Sequence, residues 1–181
     1  MTTSADAGML VLRLAVALIM FFHGTQKLFG WWDGQGLDGA TRFFASQGFR
    51  PPRAMAVVAG LTEIGGSLSL ASGLLTPLGV TMLGGVLTNI VAVHVRNGLD
   101  HRKHGFEFEL ALLAGVVAIG LVGAGRWSLD HAWAVGGPDW LGAGAVGLGI
   151  VSGLGIVASR DRGSHAPTET AGSVAAQRPR P

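Results

Sequence analysis

The carboxylate of Glu63 lies deep inside an apolar stretch and is the group best suited to do chemistry in this chain. It lies nine residues into the segment of residues 54–75, about 14 Å along a helix axis and therefore near the middle of a bilayer. A charge at that depth costs at least about 2.5–3.5 kcal/mol, and a glutamate side chain is too short to reach the interface. We therefore expect Glu63 to be protonated, paired with a cation or exposed to a hydrated cavity.

A second pair of reactive groups, His23 and Lys27, lies near the end of an earlier apolar segment, residues 9–29. Their i, i+4 spacing places an imidazole and an ammonium group on one face of a helix. Lys27 can extend to lipid phosphates at the membrane surface, or it can form a buried ion pair with an acidic residue on another helix. The two roles do not exclude each other.

Three further polar residues lie in the same half of the predicted bundle. Asn89 lies midway through the segment of residues 78–95, His94 lies near its end, and Glu107 opens the segment of residues 106–124. We predict a polar pocket facing the cytoplasm, formed by His23, Lys27, Glu63, Asn89, His94 and Glu107. Hydrogen bonding between helices explains Asn89 and His94 equally well.

A metal or haem site is not predicted. Glu107 and Glu109 are two residues apart and therefore point in different directions from a helix. No haem attachment motif accompanies the histidines, and the chain has no cysteine, which excludes disulfides and cysteine-ligated clusters carried by this chain alone. We expect no covalently bound cofactor.

The elements that must position these groups are membrane helices. The chain of 181 residues is 49% hydrophobic and only 13% charged, which is too apolar for an ordinary soluble domain. Five apolar segments each approach the roughly 20 residues that span a bilayer: residues 9–29, 54–75, 78–95, 106–124 and 140–158. We predict an all-α polytopic membrane bundle, with a four-helix core in residues 9–131 and a fifth, C-terminal transmembrane helix.

The segments outside the bundle are short or polar. Residues 1–8 lack the basic region of a secretory signal, so we expect the first helix to be retained. Residues 159–181 are rich in small and polar residues and are predicted to be disordered. The connection between the first two spans contains Trp31, Trp32, Phe43, Phe44 and Phe49, and it is either an aromatic belt with basic anchors or a cover over a lateral binding site.

Orientation follows from the distribution of lysine and arginine. One side carries Lys27, Arg42, Arg50, Arg53, Arg96, Arg102, Lys103, Arg160 and Arg162, whereas the other carries only Arg13 and Arg126. We predict a multi-pass protein of the cell membrane with the N-terminus outside and the C-terminus in the cytoplasm. The net charge of only +2 gives no reason to expect a nucleic-acid partner.

Six stretches together resemble the DoxX family: VLRLAVALIMFFHGTQKLFGWW, GATRFFASQGFRPP, LTEIGGSLSLASGLLTPLG, AVHVRNGL, GFEFELALLAG and GRWSLD. They follow one another in the order and spacing of that family over roughly residues 9–131. The resemblance implies a small inner-membrane protein related to subunits of thiosulfate:quinone oxidoreductase. Glu109 is a departure, because the family leads us to expect an acidic residue at Glu107 rather than there.

The resemblance favours a membrane subunit of a quinone-linked redox or oxidative-stress assembly. In this interpretation His23 and Lys27 bind or polarise a quinone oxygen, Glu63 relays a proton and Glu107 orients Lys27. Two alternatives are a non-catalytic scaffold that docks soluble cytoplasmic redox enzymes and a small proton-coupled transporter. The paired glycines Gly149 and Gly153 predict close helix contacts, either within the chain or in a homo-oligomer.

Overall fold

The computed structural model describes residues 2–103, 105–138 and 140–161, and the regular elements in that part of the chain are all helices. The longer ones are α1 (Thr3–Phe29), α2 (Gly36–Ser46), α3 (Pro52–Ser72), α4 (Thr76–His94), α5 (Glu107–Val122) and α7 (Trp140–Ala158), with the short α6 (Leu129–Ala132) between the last two. Single 3₁₀ turns, Val95–Asn97 and His101–Lys103, connect α4 to α5. Disorder is predicted for residues 159–181. Of these, the structure describes only residues 159–161, and residues 162–181 lie outside the described part.

The predicted all-α membrane bundle is confirmed. Four helices are long and apolar enough to cross a membrane: α1, α3, α4 with the turn that follows it (Thr76–Asn97), and α7. Helix α5 fills most of the fourth predicted span but has only 16 residues, which corresponds to about 24 Å. Helix α7 is one of the four candidate spans by length and composition. That it crosses the membrane as a fifth span, in addition to α5, stays a prediction.

Successive long helices run in alternating directions. A three-residue turn joins α3 to α4, where Gly73 adopts a left-handed conformation with φ 63° and Pro77 lies in the first turn of α4. These two residues end one helix and start the next, so the predicted antiparallel hairpin is present. As a result, Asp6 contacts the segment after α5, whereas Asp161 contacts the loop before α3, and the two ends of the described chain lie at opposite ends of the bundle.

The core joins five long helices. Buried side chains from α1, α3, α4, α5 and α7 meet in one cluster that includes Met20, Leu70, Leu83, Ile119 and Ala145. Helix α7 lies close against α4. A Cβ added at Gly149 would be only 3.0 Å from the Thr81 carbonyl oxygen. The predicted glycine contact therefore forms within the chain.

Arg13 fixes the end of the bundle that carries the N-terminus. Its side chain is among the largest that are fully buried, with 1% of the residue exposed. The guanidinium donates to the carbonyl oxygens of Leu70 at 3.0 Å and Trp127 at 3.1 Å, and also to those of Ala71 and Ala124. Carbonyls at helix C-termini lack partners within their own helix, so Arg13 caps α3 and the segment after α5 together.

Replacing Arg13 with methionine should destabilise the bundle while Arg126→Met should not. Hydrogen bonds from a charged group contribute about 1.5–3 kcal/mol each, and the substitution removes several at once, whereas Arg126 is exposed at the same end. Thermal unfolding of both variants in detergent measures the difference. Equal melting temperatures would show that the Arg13 contacts do not stabilise the fold.

Candidate functional site

An ion pair inside the bundle joins α1 to α3. The ammonium group of Lys27 contacts the Oε1 atom of Glu63, and it both donates a hydrogen bond and supplies the cation that the sequence required at this depth. Glu63 is fully buried, whereas the Lys27 side chain is 26% exposed. The carboxylate is therefore held in the interior and the ammonium reaches toward the outside of the bundle.

Gly24 allows the two helices to approach closely enough for this ion pair. It lies one turn before Lys27, and a Cβ added there would be 2.8 Å from Ile64 Cγ1 and 3.1 Å from Glu63 Cβ. These distances are shorter than normal carbon contacts. A glycine is thus required where α1 crosses α3 beside the buried carboxylate.

A cavity of about 420 Å³ adjoins the ion pair. Five of the six side chains predicted to form the site line it: His23, Lys27, Glu63, Asn89 and His94. Glu107 does not line this cavity and is exposed at the start of α5, and Glu109 lines the cavity in its place. The structure therefore brings together polar groups from α1, α3, α4 and α5.

Three polar atoms of the cavity-lining side chains are buried without a hydrogen-bond partner in the described part of the chain. They are Oε2 of Glu63, Nδ2 of Asn89 and Oε2 of Glu109. A buried polar group left unpaired costs about 1–3 kcal/mol, and such groups in folded proteins are nearly always satisfied by protein, water or ligand. Their convergence on one cavity marks it as a site for a ligand or for bound water.

The two histidines differ in their surroundings. Nδ1 of His94 lies 3.0 Å from the Ile90 carbonyl oxygen, so this nitrogen carries the proton and Nε2 of a neutral ring is an acceptor. The His23 ring meets Phe22 and Phe108 edge-on, with centroids 6.1 and 6.4 Å away. His23 is therefore positioned by aromatic packing and His94 by the backbone of its own helix.

Helix α2 and the loop after it cover one side of the cavity. Phe44 and Phe49 are buried in a small cluster with Ala40 and Ala56, and both phenyl rings line the cavity. The neighbouring Trp31 and Trp32 are exposed. The aromatic connection thus contains both a cover over the cavity and exposed rings of the kind that favour a membrane interface.

The end of α7 is fastened to this cover. Asp161 accepts from Arg50 Nε at 2.9 Å through its carboxylate and donates its backbone N–H to the Gly48 carbonyl at 3.0 Å. The guanidinium of Arg160 lies 5.4 Å from the centroid of the Phe49 ring, a cation–π distance. Residues 48–50 and 160–161 therefore form a closed contact, the latch, above the cavity.

A second, more polar cavity of about 390 Å³ lies on the other side of Lys27. The two cavities share His23, Lys27, Phe43 and Phe44. The second is also lined by Gln26 of α1 and by Asp33 and Gln35 of the loop before α2. Lys27 and His23 thus lie between an apolar chamber and a more polar one.

The described residues include no group of three or more histidine, aspartate or glutamate side chains placed to hold a metal ion. Sequence reasoning did not identify Glu109 as a site residue, although the polar pattern of α5 could have done so. Glu107 and Glu109 diverge as their spacing predicts, and only the packing of α5 decides which of them faces the cavity.

Fold and site together define a multi-pass helical membrane protein with a ligand-sized chamber built around a buried ion pair. Residues 8–96, just under half of the chain, match the model of the family described as DoxX, which confirms the resemblance over that segment. The match covers most of α1 and all of α2 to α4 and includes Lys27, Glu63, Asn89 and His94, whereas α5 and α7 lie beyond it. Searches of the curated proteins and of the solved structures each found no match.

Removing Lys27 alone should destabilise the protein more than removing both partners of the ion pair. Lys27→Met leaves the Glu63 carboxylate buried without a cation, which costs about 3–5 kcal/mol in comparable buried pairs. The double variant Lys27→Met/Glu63→Gln leaves no such charge and should recover part of the loss. Thermal unfolding of the single and double variants in detergent measures the coupling, and additive losses would contradict an energetically significant pair.

Gly24→Ala should lower stability by about 1–3 kcal/mol, the usual cost of overpacking a close contact. The matched control is Gly8→Ala on the same helix, where an added Cβ meets nothing within 4 Å. Melting temperatures of the two variants provide the comparison. If Gly24→Ala matched the wild type, the helices could separate at this point without loss.

Proposed function

We propose that this chain is an integral membrane subunit of a quinone-linked redox or oxidative-stress assembly and that its cavity holds the quinone ring. The observation that carries the proposal is an apolar chamber with a fully buried carboxylate and unpaired polar atoms on its walls. Such a chamber suits a ligand that is mostly hydrocarbon and carries a few polar atoms. A quinone has this composition.

The rim of the cavity supports entry from the lipid. Val58 on α3 and Ile156 on α7 both line the cavity, and they are 54% and 37% exposed. In a membrane helix, exposed apolar side chains of this kind face acyl chains. The gap between α3 and α7, with the latch at one end, would let a lipophilic ring enter sideways while its tail stays in the bilayer.

The size of the chamber is suitable for a ring but not for a whole isoprenoid lipid. Its volume of about 420 Å³ falls within the range of small-molecule sites, about 300–1,000 Å³. Phe43, Phe49 and Phe108 contribute aromatic walls. The headgroup of the ligand would fill the chamber, and the tail would leave through the lateral gap.

The residues divide into proposed roles by their position. Lys27 and His23 border both chambers and would bind or polarise a ring oxygen, while Glu63 would relay a proton toward the polar chamber. Asn89 and His94 lie on α4 along the same cavity and would orient the ring. The role of orienting Lys27, which the sequence suggested for Glu107, is better suited to Glu63, because Glu63 forms the ion pair.

The proposed orientation places the chamber toward the cytoplasm. Arg50, Arg53 and Arg160 lie at the end of the bundle that holds the cavity, whereas Arg13 and Arg126 lie at the other end. Positive charge favours the cytoplasmic side, so soluble redox enzymes could deliver electrons there. The N-terminus would then lie outside the cell and residue 161 inside it.

Native mass spectrometry of the complex purified in mild detergent should detect about one quinone per chain. The quinone should be lost in the Lys27→Met/Glu63→Gln variant, which keeps no unpaired charge in the core, and it should be retained in Arg126→Met. Melting temperatures verify that each variant is folded. If folded wild-type protein neither retains nor binds quinone, the proposal fails.

The same preparation separates the two alternatives. Reproducible soluble partners in the absence of quinone would instead make the chain a scaffold, which the charged cytoplasmic end would suit. Substrate flux into proteoliposomes that depends on Glu63 would make it a proton-coupled transporter.

A further inference from the structure

Two carboxylates from different helices line the proposed quinone chamber. Glu63 extends from α3 and Glu109 from the first turn of α5. Lys27 pairs with Oε1 of Glu63, and Oε2 of each glutamate is buried without a partner in the described ranges. Glu63 itself is fully buried, so its second oxygen can be satisfied only by something inside the chamber.

These oxygens define what kind of ligand they can recognise. An ionised carboxylate only accepts hydrogen bonds. Nδ1 of His94 donates to the Ile90 carbonyl, so this nitrogen is not available to the ligand. On the donor side, the unpartnered Nδ2 of Asn89 can donate, and Lys27 and His23, which also line the chamber, have further N–H groups for a ring oxygen. The two free carboxylate oxygens only accept, so a ligand that satisfies them must bring its own hydrogen-bond donors.

We infer that the chamber recognises the hydroxyl-bearing, reduced form of its ring, a quinol, and that Glu109 is the residue that determines this preference. This inference rests on the proposed function. A quinol carries two hydroxyl donors, one for Glu63 and one for Glu109. The corresponding quinone carries only acceptor oxygens, which would face the carboxylates with no hydrogen between them.

The preference has a consequence for redox chemistry. Sites built to bind a hydroxyl group reject analogues that lack it, because the polar groups of the site are left unpaired. We expect the quinol to bind at least about tenfold more tightly than the quinone. A tenfold preference for the reduced form raises the midpoint potential of the bound two-electron couple by about 30 mV, so the site would draw electrons toward bound quinone.

The test compares two ligands that differ only in oxidation state. Full-length protein in mild detergent is titrated with decyl-substituted benzoquinone in air and with its quinol under anaerobic, reducing conditions. Glu109→Gln should bring the two affinities close together, because its amide can both donate and accept. The matched control Glu107→Gln lies two residues earlier, exposed and outside the cavity, and should keep the wild-type preference.

The outcomes separate this inference from the proposed function. Quinone binding as tight as quinol binding in the wild-type protein would overturn the inference and leave the quinone site standing. An unchanged preference in folded Glu109→Gln would overturn the role of Glu109. Binding of neither form would overturn the proposed function and this inference with it. Because the wild-type comparison needs no variant, a Glu109→Gln protein that failed to fold would not prevent the test.

Discussion

The contact between Lys27 and Glu63 is the interaction on which the arrangement of the cavity depends. A carboxylate near the centre of a membrane helix requires a partner, and the cation that supplies it comes from α1. The pair therefore fixes how far α1 and α3 can slide or rotate relative to each other. Gly24 permits the close crossing that this pairing needs, so the charge and the packing impose the same geometry.

The polar groups at the two ends of the bundle differ in how far their hydrogen bonds are satisfied. At one end the guanidinium of Arg13 donates to four backbone carbonyls, and Asp130 accepts from the N–H groups of Leu75 and Thr76. The Thr76 hydroxyl at this end is buried without a partner among the described residues, but at the other end three such atoms, from Glu63, Asn89 and Glu109, belong to side chains that line one cavity. Satisfied polar groups stabilise a fold, whereas unsatisfied ones need water or a ligand. This difference distinguishes the structural end from the candidate site.

The cavity is a composite of the DoxX segment and the two long helices after it. Residues 8–96 provide the ion pair, the polar groups of α4 and the aromatic cover. Glu109 and Phe108 of α5, together with Ser152 and Ile156 of α7, complete the walls, and residues 160–161 close the latch on Gly48 and Arg50. Helix α7 can approach α4 so closely because Gly149 has no side chain. The walls of the cavity are therefore formed partly by residues outside the matched segment.

The sequence by itself determined the membrane class, the helical fold and the need of Glu63 for a partner, because apolar length and the cost of a buried charge are local properties that spacing reveals. The i, i+4 pattern of His23 and Lys27 also placed two site groups on one face. Only the tertiary structure decided that Lys27 pairs with Glu63, that Glu109 rather than Glu107 faces the cavity, and that Arg13 is a buried cap. These facts depend on how helices distant in the chain rotate and pack against one another, and the periodicity of a single helix does not specify its rotation against a neighbour.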